Sequence, residues 1–298
     1  MSERRYDSPT AFRRALTDRL RALSKSSRWE LPQLQRQFAY DQLLQRLYAA
    51  SGDWIVKGAT ALLAREIGVR GTLDIDVYRD LTTDAAEAEL RAALVTDSDS
   101  DNWFRFTVGP RQVSADGAPG IRLPVSATVG TTVWTSFRVD LVGSGLRMTG
   151  TPDEMPPLTL LEMPEVLQRN YLVYPLVDHV ADKIAATFSH YGRSLAPSTR
   201  YKDLVDLVVF ATNVTVSADA QRAALKSEAE RRAIDLPLRF DVPDRQLWEP
   251  GYAAEARRSL LAAGRSLDEA LTIVRPFIDP LLDGSAKGSW DTTSCRWE

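Results

Sequence analysis

The chain has 298 residues, of which 44% are hydrophobic and 26% are charged, as is typical of a globular protein with a full hydrophobic core. Its formal net charge of −3 argues against a protein that coats nucleic acid by electrostatics alone. The single cysteine, Cys295, excludes an internal disulfide, and no apolar stretch is long enough to predict a membrane span. The N-terminal residues lack the apolar core of a signal peptide, so we expect a cytoplasmic protein.

The hydrophobic pattern predicts a helical start, a mixed α/β core and a mainly helical second half. Ser8 followed by Pro9 is a typical helix start. Ser266 and Glu269 form a capping box for a late helix that Pro276 is expected to end or kink. The predicted elements are helices over about 9–24, 31–50, 83–95, 177–191 and 200–212, and strands near 103–109, 121–130 and 132–143.

These elements predict three parts of the chain. Residues 1–150 hold N-terminal helices and the α/β core, and residues 151–282 form a helical lobe that follows a linker rich in Pro and Met. Residues 283–298 are rich in Gly, Ser and Thr and are expected to form a flexible tail. The two histidines are too few for a histidine-rich metal site, and we expect His179 on a solvated helix flank.

Residues 57–60 read KGAT and precede a helix-like run. Gly58 allows a ligand to approach the backbone closely, and the N–H groups at a helix start, with the Thr60 hydroxyl, are typical of an anion site. Lys57 adds a positive charge for a triphosphate. The sequence contains neither a Walker loop nor a dinucleotide-binding GxGxxG motif, so this loop predicts a phosphate site of another kind.

Residues 72–80 read TLDIDVYRD and carry two aspartates in a predicted strand. Residues two apart in a strand point to the same side, so Asp74 and Asp76 project together while Ile75 and Val77 face a core. Adjacent carboxylates repel each other unless cations lie between them, and at a phosphate site the natural cation is Mg²⁺. The alternative is a half-buried edge strand whose polar side faces water.

A lysine and two aspartates stand out in the second half of the chain. Lys183 lies on the flank of an apolar helix stripe. Asp203 and Asp206 are three residues apart on the next helix, which is hydrophobic almost all round and should be buried. Because a buried carboxylate needs a partner, the residues predict a salt bridge with Lys183 that holds two helices together.

The order of these motifs resembles the AbiEii nucleotidyltransferases, which include the MenT toxins of type IV toxin–antitoxin pairs. The resemblance rests on KGAT, TLDIDVY, the Lys183 helix and RYKDLVDL at residues 200–207. Ala59 stands where family members usually carry a second glycine. The resemblance implies an α/β (α+β) fold with a polymerase-beta-like core, in which a mixed sheet packs against a mainly helical C-terminal lobe.

A third carboxylate fits this resemblance. Residues 134–142 read WTSFRVDLV, and successive residues of a strand point to opposite sides. One side carries Thr135, Phe137, Val139 and Leu141, and the other carries Trp134, Ser136, Arg138 and Asp140. Asp140 therefore points away from the more apolar side. If this strand lies beside the one that carries Asp74 and Asp76, all three can hold two Mg²⁺ ions, and Asp140 can help deprotonate an attacking hydroxyl. The alternative is a surface aspartate on an exposed strand face.

The resemblance also implies a reaction. It implies transfer of a nucleotide from an NTP to the 3′ end of tRNA, which blocks aminoacylation, and a cognate antitoxin as partner.

The arginines at 13, 14, 19, 21, 231, 232, 257 and 258 are either contacts for RNA phosphates or solvated helix faces. Two other functions stay open: a small-molecule nucleotidyltransferase, such as one that modifies aminoglycosides, and a binding protein without turnover. The resemblance implies the following site: catalytic Asp74, Asp76, Asp140, Lys183, Asp203 and Asp206, with nucleotide contacts from Lys57, Gly58, Ala59, Thr60 and Lys183.

Overall fold

The computed structural model describes residues 6–95, 103–113, 120–163, 166–192 and 194–298. The chain divides into two compact units. The first comprises residues up to Ala64, Thr72–Leu146 and Glu154–Val173, and the second comprises Arg65–Gly71, Arg147–Asp153 and Tyr174–Glu298. The chain therefore leaves the first unit and re-enters it, instead of crossing one boundary near residue 150.

The first unit combines helices with a mixed sheet, which confirms the predicted fold class. Ser8 caps its first helix by accepting a hydrogen bond from the Ala11 backbone N–H. The helices are α1 (Pro9–Ser24), α2 (Leu31–Ala50), α3 (Gly58–Ala64) and α4 (Thr83–Val95). The strands are β1 (Ile55–Lys57), β2 (Asp74–Tyr78), β3 (Phe104–Val108), β4 (Gln112–Val113), β5 (Ile121–Val129), β6 (Thr132–Val142), β7 (Asp153–Met155) and β8 (Tyr171–Val173).

The sheet runs in the order β3-β5-β6-β2-β1-β8-β7, with β4 paired to β5. β2 pairs in parallel with β6 and antiparallel with β1. One face of these central strands is apolar: Val56, Ile75, Val77, Val139 and Leu141 are all fully buried in the core of the unit. The opposite face of the same strands is left for polar side chains.

Trp134 does not lie on the polar side of β6, where strict alternation placed it. Trp134 and Phe137 are both buried, although they are three residues apart. The β5–β6 ladder contains a register shift between Ala127 and Thr128, which opposes an extra residue of β6 to β5. This bulge changes the phase of the alternation along β6, and it lets the Trp134 indole N–H reach the Gln35 carbonyl at 2.8 Å.

The second unit is mainly helical, as predicted. Its helices are α5 (Leu176–Phe188), α6 (Tyr201–Asn213), α7 (Ala218–Arg232), α8 (Arg245–Arg258) and α9 (Leu267–Leu282), and its short strand pairs are β9 (His190–Tyr191) with β10 (Ala196–Pro197) and β11 (Trp290–Asp291) with β12 (Arg296–Trp297). α6 packs against α5, α8 and α9. In the described part of the chain, no helix has both the length and the apolar character that a membrane span requires.

Several local predictions for this unit need correction. α5 ends at Phe188, three residues early, because Ser189 is already extended. His179 is buried against Phe210 and does not lie on a solvated flank. The capping box of Ser266 and Glu269 is present, but α9 continues through Pro276, because its apolar stripe stays buried to the end of the helix.

Residues after 283 are packed where a flexible tail was expected. Trp290 is fully buried, and its indole N–H donates to the Ala211 carbonyl at 2.9 Å. Trp297 stacks on Phe277 with ring centroids 5.6 Å apart, and its indole N–H donates to the Phe277 carbonyl. Two tryptophans in sixteen residues outweigh the turn-forming composition of the segment.

Candidate functional site

Three aspartates share the polar face of the central strands. β2 and β6 pair in parallel with Asp74 opposite Arg138 and Asp76 opposite Asp140. Directly opposed residues of neighbouring strands point to the same side of a sheet. The strand that carries Asp140 therefore lies beside the strand that carries Asp74 and Asp76, which was the condition for a joint carboxylate site.

Two arginines on the same face were not foreseen. Arg122 of β5 donates from Nε and Nη2 to the two carboxylate oxygens of Asp140, each at 2.7 Å. Arg138 donates from Nε to Oδ1 of Asp74 at 2.5 Å. The four side chains are 27–43% exposed, so the face is open to solvent. The spacing of Arg138 and Asp140, two residues apart in one strand, was a signal that could have identified Arg138.

Lys57 extends this pattern to the next strand. It ends β1, where it lies opposite Asp76 in the antiparallel register. Across β1, β2, β6 and β5 the opposed residues are thus Lys57, Asp76, Asp140 and Arg122. Two cations flank two adjacent carboxylates along one line of the sheet, which reduces the repulsion between the carboxylates.

Gly58 fits closely against Asp76. Its φ is +58°, and a Cβ at this position would lie 2.1 Å from Oδ2 of Asp76. The KGAT loop therefore needs glycine here, both for its backbone conformation and for the space that the carboxylate occupies. Ala59 and Thr60 are buried, so in this structure the Thr60 hydroxyl faces the protein interior and not the solvent.

The carboxylates of this face have the chemistry of the divalent-cation site that the sequence resemblance implies. Carboxylate oxygens on one open face are the ligands that Mg²⁺ prefers, and Asp74, Asp76 and Asp140 supply them. Arginine now holds oxygens of two of these residues. Within the described residues, no three acidic, His or Cys side chains converge closely enough to bind a metal ion. The three aspartates have the ligand chemistry of a divalent-cation site, and in this structure two of them are paired with Arg122 and Arg138.

The second unit contains the predicted salt bridge between α5 and α6. Lys183 Nζ lies 2.9 Å from Oδ1 of Asp203 and 2.7 Å from Oδ2 of Asp206. The three side chains are at most 5% exposed. Sequence spacing alone identified all three members of this buried cluster.

Two arginines complete the cluster from its edges. Arg70 donates to both carboxylate oxygens of Asp206, at 3.1 and 2.8 Å, and Arg200 donates to Asp203. Burial lowers the pKa of Lys183, but Asp203 and Asp206 outweigh burial and raise it above its ordinary value. Burial likewise raises the pKa of Asp206, but Lys183 and Arg70 outweigh it and hold that pKa well below its usual range. These directions favour the protonated form of Lys183 and the ionised form of Asp206 at neutral pH.

Comparisons with known proteins identify a family and a similar fold. Residues 42–273 match the family described as nucleotidyl transferase AbiEii toxin of the type IV toxin–antitoxin system. The fold is similar to MenT4, a nucleotidyltransferase toxin from Mycobacterium tuberculosis, with a TM-score of 0.56 and 15% identity over 89% of each chain. JHP933 from Helicobacter pylori matches with a TM-score of 0.46 and 13% identity over 84% of this chain and 92% of that chain. No curated protein matches. Since the family match spans most of the sequence, the chain belongs to the AbiEii family of nucleotidyltransferase toxins.

Proposed function

We propose that this toxin transfers a nucleoside monophosphate from an NTP to the 3′ acceptor end of tRNA in the cytoplasm, and thereby blocks aminoacylation and translation. The observation that carries the transferase chemistry is the shared face of β2 and β6, where Asp76 lies opposite Asp140 and Asp74 lies two residues earlier. The choice of RNA as acceptor rests on the resemblance to the MenT toxins, while the family match supports a nucleotidyltransferase toxin. A type IV toxin also implies a cognate antitoxin.

Each residue of the carboxylate face has a role in this proposal. Asp74, Asp76 and Asp140 would hold two Mg²⁺ ions, which would supply charge neutralisation to the phosphates. Asp140 accepts the proton of the attacking hydroxyl. Lys57 and the backbone at Gly58 contact the triphosphate. The new phosphodiester bond forms at the α-phosphate, and pyrophosphate leaves.

The buried cluster of the second unit supplies positive charge in this proposal. Lys183 contacts both Asp203 and Asp206, while Arg70 contacts Asp206 and Arg200 contacts Asp203. We assign the nucleotide contact to Lys183, whose raised pKa keeps it protonated. Asp203 and Asp206 hold its ammonium group in place between α5 and α6.

Not all of the candidate RNA-binding arginines are available to a substrate. Arg231 and Arg232 donate to Glu228, and Arg232 also donates to Asp182. By contrast, Arg257 of α8 is exposed, as is Arg14 of α1. We therefore expect RNA phosphates to contact the exposed arginines of α1 and α8 more than the pair at the end of α7.

The test is nucleotide transfer by the purified full chain. The protein is incubated with Mg²⁺, each labelled NTP in turn, and total tRNA that is either intact or oxidised with periodate, which destroys the 3′-terminal diol. We expect label from one preferred NTP in intact tRNA and none in oxidised tRNA. Asp76→Asn should abolish transfer, whereas Asp80→Asn, the same change just past the end of β2, should retain it.

Three outcomes would contradict the proposal. Equal labelling of intact and oxidised tRNA would exclude the 3′ hydroxyl as acceptor. Labelling of an aminoglycoside but not of RNA would instead establish the small-molecule transferase, which has the same carboxylate requirement. Full transfer by a folded Asp76→Asn variant would exclude the assigned carboxylate face altogether.

A further inference from the structure

Three carboxylates on the polar face of β2 and β6 each lie beside a basic side chain. Asp74, Asp76 and Asp140 are each opposed in register or by an ion pair to one basic side chain: Arg138, Lys57 and Arg122 respectively. These cations come from three different strands, β1, β5 and β6. A matched set of this kind is a property of the whole sheet and not of one local motif.

Arg122 and Arg138 occupy the oxygens that a divalent cation needs. Arg122 engages both oxygens of Asp140 in the planar, two-bond geometry that guanidinium groups form with carboxylates. Arg138 engages Oδ1 of Asp74. A metal ion and these guanidinium groups cannot hold the same oxygen lone pairs at once, so the two must compete.

The competition is readily reversed because both ion pairs are partly exposed. Exposed salt bridges contribute little to stability, since water and counterions replace each partner at small cost. Guanidinium groups also bind phosphate oxygens with the same two-bond geometry that they use for carboxylates. An arginine that a metal ion displaces on this face therefore has a ready second partner in the triphosphate of an incoming NTP.

We propose that Arg122 and Arg138 are exchangeable cations of the active site. In this structure they pair with Asp140 and Asp74. When a divalent cation takes the carboxylate oxygens, the two arginines turn to the triphosphate of the NTP and bind it. The inference rests on the proposed function, because it requires these aspartates to be the metal ligands.

The inference predicts that removing either arginine changes two affinities in opposite directions: the affinity for the metal ion rises and the affinity for the nucleotide falls. Arg122→Gln or Arg138→Gln removes a competitor of the metal ion, so each variant should bind Mn²⁺ on the order of three- to tenfold more tightly than the wild type. The same variants lose a phosphate contact, so at saturating Mn²⁺ they should bind a non-hydrolysable NTP on the order of tenfold more weakly. Arginines that only stabilise the sheet would not change the affinities for Mn²⁺ and for the nucleotide in opposite directions.

The experiment measures Mn²⁺ and nucleotide binding to the full chain by titration calorimetry, with folding checked by circular dichroism. Arg105→Gln is the matched control: it removes the same charge from an exposed residue of β3, a strand that does not pair with β6. This control should leave both constants unchanged. Asp76→Asn should abolish Mn²⁺ binding; if it does not, the metal site of the proposed function is wrong, whatever the arginine variants do.

Three results would overturn the inference itself. Mn²⁺ affinity that is unchanged or lower in both arginine variants would show that the guanidinium groups do not compete with the metal. Absence of Mn²⁺ binding in the wild type and in both variants would remove the metal site of the proposed function, and the inference with it. A gain in Mn²⁺ affinity without a loss in nucleotide affinity would show that the displaced arginines do not bind the triphosphate.

Discussion

Gly58 combines a left-handed backbone with close contact to a proposed metal ligand, so even Gly58→Ala should be costly. At a φ of +58° an alanine is disfavoured by about 1–2 kcal/mol. The added Cβ would lie 2.1 Å from Oδ2 and 2.7 Å from Cγ of Asp76. The Asp76 side chain must then leave its rotamer, which costs about 0.5–1.5 kcal/mol more. We expect a total destabilisation of about 1.5–3.5 kcal/mol, which is the sum of these two terms.

Chemical denaturation of purified variants measures this cost. Gly52→Ala is the control, since a Cβ at Gly52 would meet no atom within 4 Å. That control should be neutral or up to about 1 kcal/mol more stable than the wild type. Gly58→Ala should also lose nucleotide transfer, because the displaced Asp76 carboxylate no longer lies beside Asp140 on the polar face.

A double-mutant cycle separates the two causes. In an Asp76→Ala background the carboxylate is gone, and the nearest remaining atom is the Asp76 Cβ position, 3.3 Å from the added methyl group. Gly58→Ala should then cost only the backbone part, about 1–2 kcal/mol, with the difference appearing as coupling between the two sites. A cost below about 0.5 kcal/mol in the wild type, or an equal cost in both backgrounds, would refute the steric reasoning.

Three further predictions concern the second unit. Lys183→Met removes the ammonium group that contacts both buried carboxylates, Asp203 and Asp206, and should destabilise the protein by about 3–5 kcal/mol in denaturant titrations; a loss below about 1 kcal/mol would contradict the buried cluster. Because its folded-state pKa is lowered, Asp206 stabilises the fold fully above its unfolded pKa near 3.8, and this contribution is lost as the pH falls further. Asp206→Asn should accordingly flatten the dependence of stability on pH below about 4, measured by thermal melting. Trp290→Ala should cost about 3–5 kcal/mol, whereas a flexible tail would make it neutral.

The features that the sequence predicted well depend on local signals. The Ser8 cap and the Ser266 capping box act within one helical turn, so their residues identify both helix starts. The spacing of Asp203 and Asp206 fixes a shared helix face, and the apolar surroundings require a cation. Short-range periodicity in the same way placed Asp74 and Asp76 on one side of β2.

The features that the sequence did not reveal depend on contacts between distant segments. The burial of Thr60 follows from the packing of α3, which the KGAT motif does not encode. Trp290 is buried because it reaches a carbonyl of α6, 79 residues earlier in the chain. The composition of residues 283–298 gave no indication of this partner, and glycine and serine content alone predicted a flexible segment.

The β-bulge in the β5–β6 ladder determines which residue lies opposite Asp140 on the polar face. At the turn between β5 and β6, Val129 lies opposite Thr132. An uninterrupted ladder from that turn would place Arg122 opposite Val139, because a one-residue change of register turns each side chain to the other face. The bulge at Ala127 and Thr128 shifts the register, so Arg122 instead lies opposite Asp140 and Trp134 enters the core. The bulge thus places a guanidinium group on a proposed metal ligand, and an arginine–carboxylate pair arises from strand geometry that simple alternation does not predict.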